Sequence, residues 1–179
     1  MRHLTIFLCS IVIFSLSIIP APSNGQEKIV KLEVSSTAFK ENTSIPKKYT
    51  CDGKDINPPL TIENVPQGTK SLALIVDDPD APMGIWVHWV LWNIDPKTRE
   101  IKENSVPQGA IQGINDFGKS SYGGPCPPSG THRYFFKAYA LDTVLNLPQN
   151  SRKADLEKGM KGHILGQGQL MGIYKKGIF

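Results

Sequence analysis

Tyr122-Gly123-Gly124-Pro125-Cys126-Pro127-Pro128-Ser129-Gly130 runs directly into Thr131-His132-Arg133-Tyr134-Phe135-Phe136, and the change of character between the two halves decides how the chain folds around them. Three prolines in the first half remove three backbone donors and fix φ, and three glycines open conformations closed to other residues, so no helix forms there. The second half carries Tyr134, Phe135, Phe136 and Tyr139 and predicts a strand. The strand period of two puts His132, Tyr134, Phe136 and Ala138 on one face. A stiff, donor-poor loop thus delivers an imidazole and a phenol side by side at the mouth of a strand, as a small pocket requires.

Working outward, residues 71–76 form a short apolar run without helical period, which predicts a central strand. It ends in Asp77-Asp78-Pro79-Asp80-Ala81-Pro82, where aspartate before proline favours a turn. Residues 86–94 predict a further strand, with Trp86, His88, Val90 and Trp92 on one face and Val87, Trp89 and Leu91 on the other. Both faces are apolar, so the strand is expected to be covered on both sides. Residues 29–35 alternate as a first strand, 45–60 read as turn-rich surface loop, and 97–118 as a long loop. Asn150 or Ser151 is placed to cap a helix through Ala154, Leu156, Met160 and Ile164, weakened by Gly159 and Gly162. A last strand is expected over 169–174. Several strands, one late helix and no βαβ alternation predict a mostly β fold with antiparallel sheets.

The 179 residues, 40% hydrophobic and 20% charged, fit one domain with a real core. Residues 1–25 stand apart: Arg2 and His3, then an apolar run to Ile19, then small residues, the pattern of a secretory signal peptide. The alternative is an N-terminal membrane anchor. The domain is then 26–179, and the protein is read as exported, periplasmic or secreted. Without Arg2 it carries 19 basic against 16 acidic residues, too mild an excess for a nucleic-acid partner. Cys9 leaves with the signal. Cys51 and Cys126 remain, an even pair in an oxidising compartment, which suggests a disulfide; two buried thiols are the alternative.

Some motifs are deceptive. Gly113-Ile114-Asn115-Asp116-Phe117-Gly118-Lys119-Ser120 satisfies the phosphate-loop pattern G-x-x-x-x-G-K-S. That loop works only between a buried strand and a helix whose N-terminus faces the phosphates. The flanks here are rich in glycine and proline, and Asp116 would repel phosphate, so nucleotide binding is not expected. His88 and His132 with Asp78 and Asp80 are metal-ligand types, but none sits at a short ligand spacing, and neither a metal nor a cofactor is expected. A G-x-S-x-G elbow is lacking, and Cys126 between two prolines suits structure better than nucleophilic catalysis, so no catalytic residue is assigned.

Asp78-Pro79-Asp80-Ala81-Pro82, then Val87-His88-Trp89-Val90, then Gly-Pro-Cys-Pro-Pro followed by His132-Arg133-Tyr134, in this order, resemble the phosphatidylethanolamine-binding protein family. The bacterial and archaeal branch, often labelled Raf-kinase-inhibitor-like, is the nearest in pattern. The similarity extends from Phe39 and Tyr49-Thr50-Cys51-Asp52-Gly53 to Gly162-His163-Ile164-Leu165 and the final strand. The resemblance implies central antiparallel β-sheets with a few short helices and a small anion-binding pocket. Carried over motif by motif, that pocket comprises Asp78, His88, Gly124, Pro125, His132 and Tyr134. Ser121 departs from the glycine usual in this branch, and the short Met83-Gly84-Ile85 link argues against transferring the recognition surfaces of animal relatives.

These residue types suit a small anion such as phosphate, a carboxylate or a phospholipid headgroup. Imidazole N–H groups, the Tyr134 hydroxyl and loop amides near Gly124 are donors, and Asp78 orients a histidine. Two function classes follow. The first is a binding protein, with inhibition of a partner such as a kinase or protease as an added role and a homodimer left open. The second is a hydrolase or isomerase using histidine and aspartate as acid and base; the lack of a nucleophile and of a metal motif favours the first.

Overall fold

The computed structural model describes residues 29–176, and the expected signal segment lies outside them. In chain order the elements are β1 (Val30–Lys31), β2 (Glu33–Ser35), β3 (Thr43–Ser44), a 3-10 turn (Lys47–Tyr49), β4 (Leu60–Glu63), β5 (Ser71–Asp78), β6 (Trp86–Ile94), β7 (Glu100–Ile101), β8 (Ile111–Gln112), β9 (Thr131–Leu141), α1 (Lys153–Met160) and β10 (Ile164–Lys175). The larger sheet runs β1-β10-β9-β5-β6-β8, with β3 also on β10, and the smaller runs β2-β4-β7; neither closes. The long central strands pair antiparallel, whereas the two-residue strands β1 and β3 lie parallel to β10.

Alternation on β5 and β9 builds two cores on the two faces of the large sheet. Leu72, Leu74 and Val76 with Tyr134, Phe136, Ala138 and Ala140 face the small sheet, where Val34, Leu60, Ile62 and Ile101 cover them. Ala73, Ile75 and Leu141 face the other way, beneath Leu156 and Met160 of α1. Every residue of β5 is buried, as a strand covered on both sides requires. The predicted common face of His132, Tyr134, Phe136 and Ala138 is present, because β9 pairs with β5 without a register shift.

β6 departs from simple alternation. Val76 pairs with Trp89 but Asp77 with Val87, so β6 carries one extra residue at His88. A bulge of this kind bends the strand and resets which face each side chain takes. The expected set of Trp86, His88, Val90 and Trp92 is therefore divided. Val90 and Trp92 pack beneath α1 with Val87, while Trp89 and Leu91 face the small sheet, and the His88 ring lies 5.2 Å from that of Tyr134. A second irregularity, between Leu72↔Ile94 and Leu74↔Leu91, contains Asn93 at φ 55° and returns Ile94 to the small-sheet side.

Other expectations are corrected. The 45–60 segment is not surface loop: Ile45, Tyr49, Thr50 and Leu60 are buried. The single first strand is two strands, in different sheets. The 97–118 loop contributes β7 and β8, and Ile101 is in the core. The helix starts after Arg152, whose backbone N–H donates to the Asp155 side chain at 2.9 Å. It stops at Met160; Gly162, at φ +83°, turns the chain, and Ile164 opens a twelve-residue last strand. Cys51 and Cys126 are bonded, with Cα atoms 5.4 Å apart.

Candidate functional site

The C-terminal end of β5, the start of β9 and the bulge of β6 meet at one end of the large sheet. Asp78 follows Leu74 and Val76 by the strand period and so faces the same side as His132 and Tyr134. Nδ1 of His132 lies 2.7 Å from Oδ2 of Asp78. An ionised carboxylate only accepts, so this nitrogen carries the proton and donates. Asp78 Oδ1 accepts the backbone N–H of Asp80 at 2.8 Å, the turn role expected of aspartate before proline. Asp80 in turn accepts from Arg133, through the backbone N–H and Nε at 2.9 Å and Nη2 at 2.7 Å. That guanidinium holds the Asp80 carboxyl down to about 2. The turn is thus clamped to β9 at the cavity mouth.

His88 is set by its loop neighbour. Its Nδ1 lies 2.6 Å from the carbonyl oxygen of Gly123, and since a carbonyl only accepts, Nδ1 donates here too. Burial pushes the His88 imidazole below its usual value, partly offset by the Gly123 carbonyl and the Asp78 carboxylate. The Tyr134 hydroxyl is buried without a hydrogen-bond partner. Burial, then the nearby Asp78 carboxylate, drives its pKa far above the ordinary phenol value.

A cavity of about 360 Å³ opens over these groups. Asp78, His88 and His132 form its polar end, and Pro82, Met83, Trp86, Phe117, Pro127 and Pro128 its apolar walls. Of the six residues expected at the pocket, Asp78, His88 and His132 line it, and Tyr134 backs the His88 ring. Gly124 and Pro125 are not in its lining. The Gly124 amide, expected as an anion donor, donates to Asp55 Oδ1 at 2.6 Å, and the Pro125 carbonyl accepts from the Cys51 amide. These two residues hold the loop against the 49–55 segment.

Trp86 and Phe117 were missed as wall residues. Trp86 read as one aromatic among many in a strand, and Phe117 lay inside the phosphate-loop look-alike. That stretch does other work: the buried Asn115 side chain accepts from the Phe117 and Lys119 amides and donates to the His88 and Ser121 carbonyls. Asp116 Oδ2 accepts the Val87 N–H. No helix follows it; the next helix begins at Lys153. The result is a scaffold that sets the Phe117 ring edge-on to His88 at 5.4 Å and to Trp86 at 5.5 Å. Among the described residues no group of three or more His, Cys, Asp or Glu is arranged for a metal, and no helix is long and apolar enough to cross a membrane.

An open β-sheet that carries, at one end and among its loops, a small cavity over two imidazoles and a carboxylate defines a β protein of the ligand-binding class. The family model for phosphatidylethanolamine-binding protein matches residues 35–175, and the chain belongs to that family. A UPF0098 protein of Methanothermobacter thermautotrophicus is 50% identical over 151 residues, covering 82% of this chain and 100% of the relative. One from Aquifex aeolicus is 53% identical over 152 residues, covering 81% and 89%. Among solved structures, a phosphatidylethanolamine-binding protein homologue of Chlamydia trachomatis superposes with a TM-score of 0.79 at 43% identity, over 82% of this chain and 99% of that one. Escherichia coli YbcL, described as a member of the mammalian family, gives 0.77 at 32% identity, over 83% and 100%.

Proposed function

We propose that the protein binds a small oxyanion, a phosphomonoester, carboxylate or phospholipid headgroup, between His88 and His132, and that a proton is shared in the contact. The observation that carries this reading is the hydrogen bonding of the two rings. Each Nδ1 already donates, to Gly123 and to Asp78, which leaves Nε2 for a ligand. In a neutral ring so arranged, Nε2 is an acceptor and becomes a donor only on protonation. An oxyanion there needs either an imidazolium or a proton of its own. The walls exclude water and strengthen whatever contact forms. The Cys51–Cys126 bridge fits a protein working in an oxidising compartment.

Calorimetric titration with methyl phosphate, from about pH 5.5 to about pH 8, tests the reading. Affinity is expected to rise as pH falls, with proton uptake seen as a dependence of the heat on the buffer. Methyl sulfate, which carries no titrating proton in this range, isolates the imidazole contribution. His88→Gln and His132→Gln, each with a melting curve, are expected to weaken binding roughly tenfold to a hundredfold, the usual cost of one contact to a charged group. Unchanged affinity in both folded variants ends the proposal.

A further inference from the structure

We infer that the oxyanion this pocket takes is a soluble monoester bearing an apolar organic group up to the size of one aromatic ring, selected by Trp86 and Phe117. The inference rests on the oxyanion reading above and adds what the rest of the cavity recognises. A volume of about 360 Å³ is far more than a bare phosphate fills, and it belongs at the small end of organic-ligand pockets of about 300–1,000 Å³. Beyond Asp78, His88 and His132 every lining residue is apolar. Among the described residues no lysine or arginine lines the cavity; Arg133, beside it, is engaged by Asp80. The site thus has little surplus positive charge for a multiply charged anion, and its apolar surface has no polar part of a bare anion to meet.

The two rings touch, and the second is anchored through its backbone. Phe117 meets Trp86 edge to face and its backbone N–H donates to the Asn115 side chain, while the ring remains 40% exposed. Met83, in the same wall, is 93% exposed. Exposed large apolar side chains gathered at one cavity mouth, on a surface otherwise free to place them inside, mark a recognition surface. A ligand ring seated against the touching pair Trp86 and Phe117 would cover their cavity faces while its oxyanion reaches Nε2 of the histidines.

The test compares the affinities of methyl phosphate and phenyl phosphate in wild type, Phe117→Ala and Phe117→Leu, each with a melting curve. Wild type is expected to favour phenyl phosphate by roughly tenfold or more, the effect of burying one aromatic ring. Phe117→Ala is expected to cut that ratio to about threefold or less, and Phe117→Leu to fall between. Equal affinities in wild type, with binding still lost in the histidine variants, overturn the inference and leave the oxyanion reading standing. A ratio that Phe117→Ala does not change also overturns it. No binding of either ester overturns both. If vesicles containing phosphatidic acid bind while phenyl phosphate does not, the occupant is a lipid and the soluble-ester inference falls.

Discussion

Asp77 and Asp78 are neighbours on β5 and serve opposite faces of the sheet. Asp78 receives the His132 imidazole in the cavity, while Asp77, buried on the helix side, receives two ammonium groups. Lys137 Nζ lies 2.7 Å from its Oδ1 and Lys153 Nζ 2.7 Å from its Oδ2. Lys153 opens α1, so this carboxylate ties the helix to the sheet. Asp77→Asn is expected to lower stability by about 3 kcal/mol, the low end for breaking a buried ion pair, because both lysines keep some access to water. Ligand affinity should be unchanged. Asp78→Asn should do the reverse, weakening oxyanion binding about tenfold with a smaller change in melting. Denaturant unfolding beside titration separates the two; equal effects on binding would show that the faces are not independent.

The buried imidazole of His88 makes stability depend on pH. Its folded-state pKa lies below the ordinary value of 6.5, so on acidification the unfolded chain takes up a proton before the folded one. Above pH 6.5 both states are neutral at this site and it adds no slope. As pH falls through 6.5 stability is lost, and the loss continues down to the folded-state value, at up to about 1.4 kcal/mol per pH unit. Unfolding of wild type and His88→Gln across this window should give curves that converge toward acid. Parallel curves would mean that His88 titrates alike in both states. A saturating oxyanion should flatten the wild-type slope, since it favours the imidazolium.

What could be read from sequence divides along a physical line. The His132 and Tyr134 face was legible because β9 keeps a strict period of two beside β5. His88 was legible as a pocket residue only by its motif. Its strand face was misassigned because the bulge opposite Val76 and Asp77 depends on pairing between strands, which no single strand displays. Ile45, Tyr49 and Thr50 are buried by long-range contact beneath irregular backbone, where apolar residues follow no period. Gly124 was expected to offer its amide to the anion, but that amide donates to Asp55, a partner 69 residues away. Phe117 has no local signal; its position comes from the Asn115 side chain, which shapes a loop that composition alone leaves undefined.

The Cys51–Cys126 bridge is expected to matter for both folding and the site. It spans 75 residues, and in the chain-entropy account closing such a loop stabilises by up to ~4 kcal/mol. Cys126 also lines the cavity, within a stretch that has no regular secondary structure. Thiol labelling of the denatured, unreduced protein from residue 26 onward should find no free cysteine. Two labelled cysteines would show the bridge to be absent. Cys51→Ser with Cys126→Ser should lower the unfolding midpoint and weaken phosphomonoester binding, because the Cys126–Pro128 wall loses its covalent tie.

Gly123 and Gly124 are adjacent and should respond differently to an added methyl group. A Cβ on Gly124 would lie 2.5 Å from the Tyr49 carbonyl oxygen, 2.7 Å from Asp55 Oδ1 and 2.8 Å from the Thr50 Cα. Two of those three atoms are backbone in a buried segment, so the neighbours cannot rotate aside. Gly124→Ala should therefore separate the loop from the 49–55 segment and cost roughly 1–3 kcal/mol or more, as overpacking does. A Cβ on Gly123 instead meets the Phe117 ring, at 2.6 and 2.7 Å. That ring is part-exposed at a cavity mouth and can swing out, so Gly123→Ala should cost less stability and act on the ligand site. Melting curves of both variants, with titrations of methyl and phenyl phosphate, provide the check. The expected pattern is a destabilised Gly124→Ala and a Gly123→Ala whose preference for the aromatic ester has dropped. A Gly124→Ala that melts like wild type but no longer binds phosphomonoester would return that residue to the ligand contact, against the hydrogen bond its amide makes to Asp55.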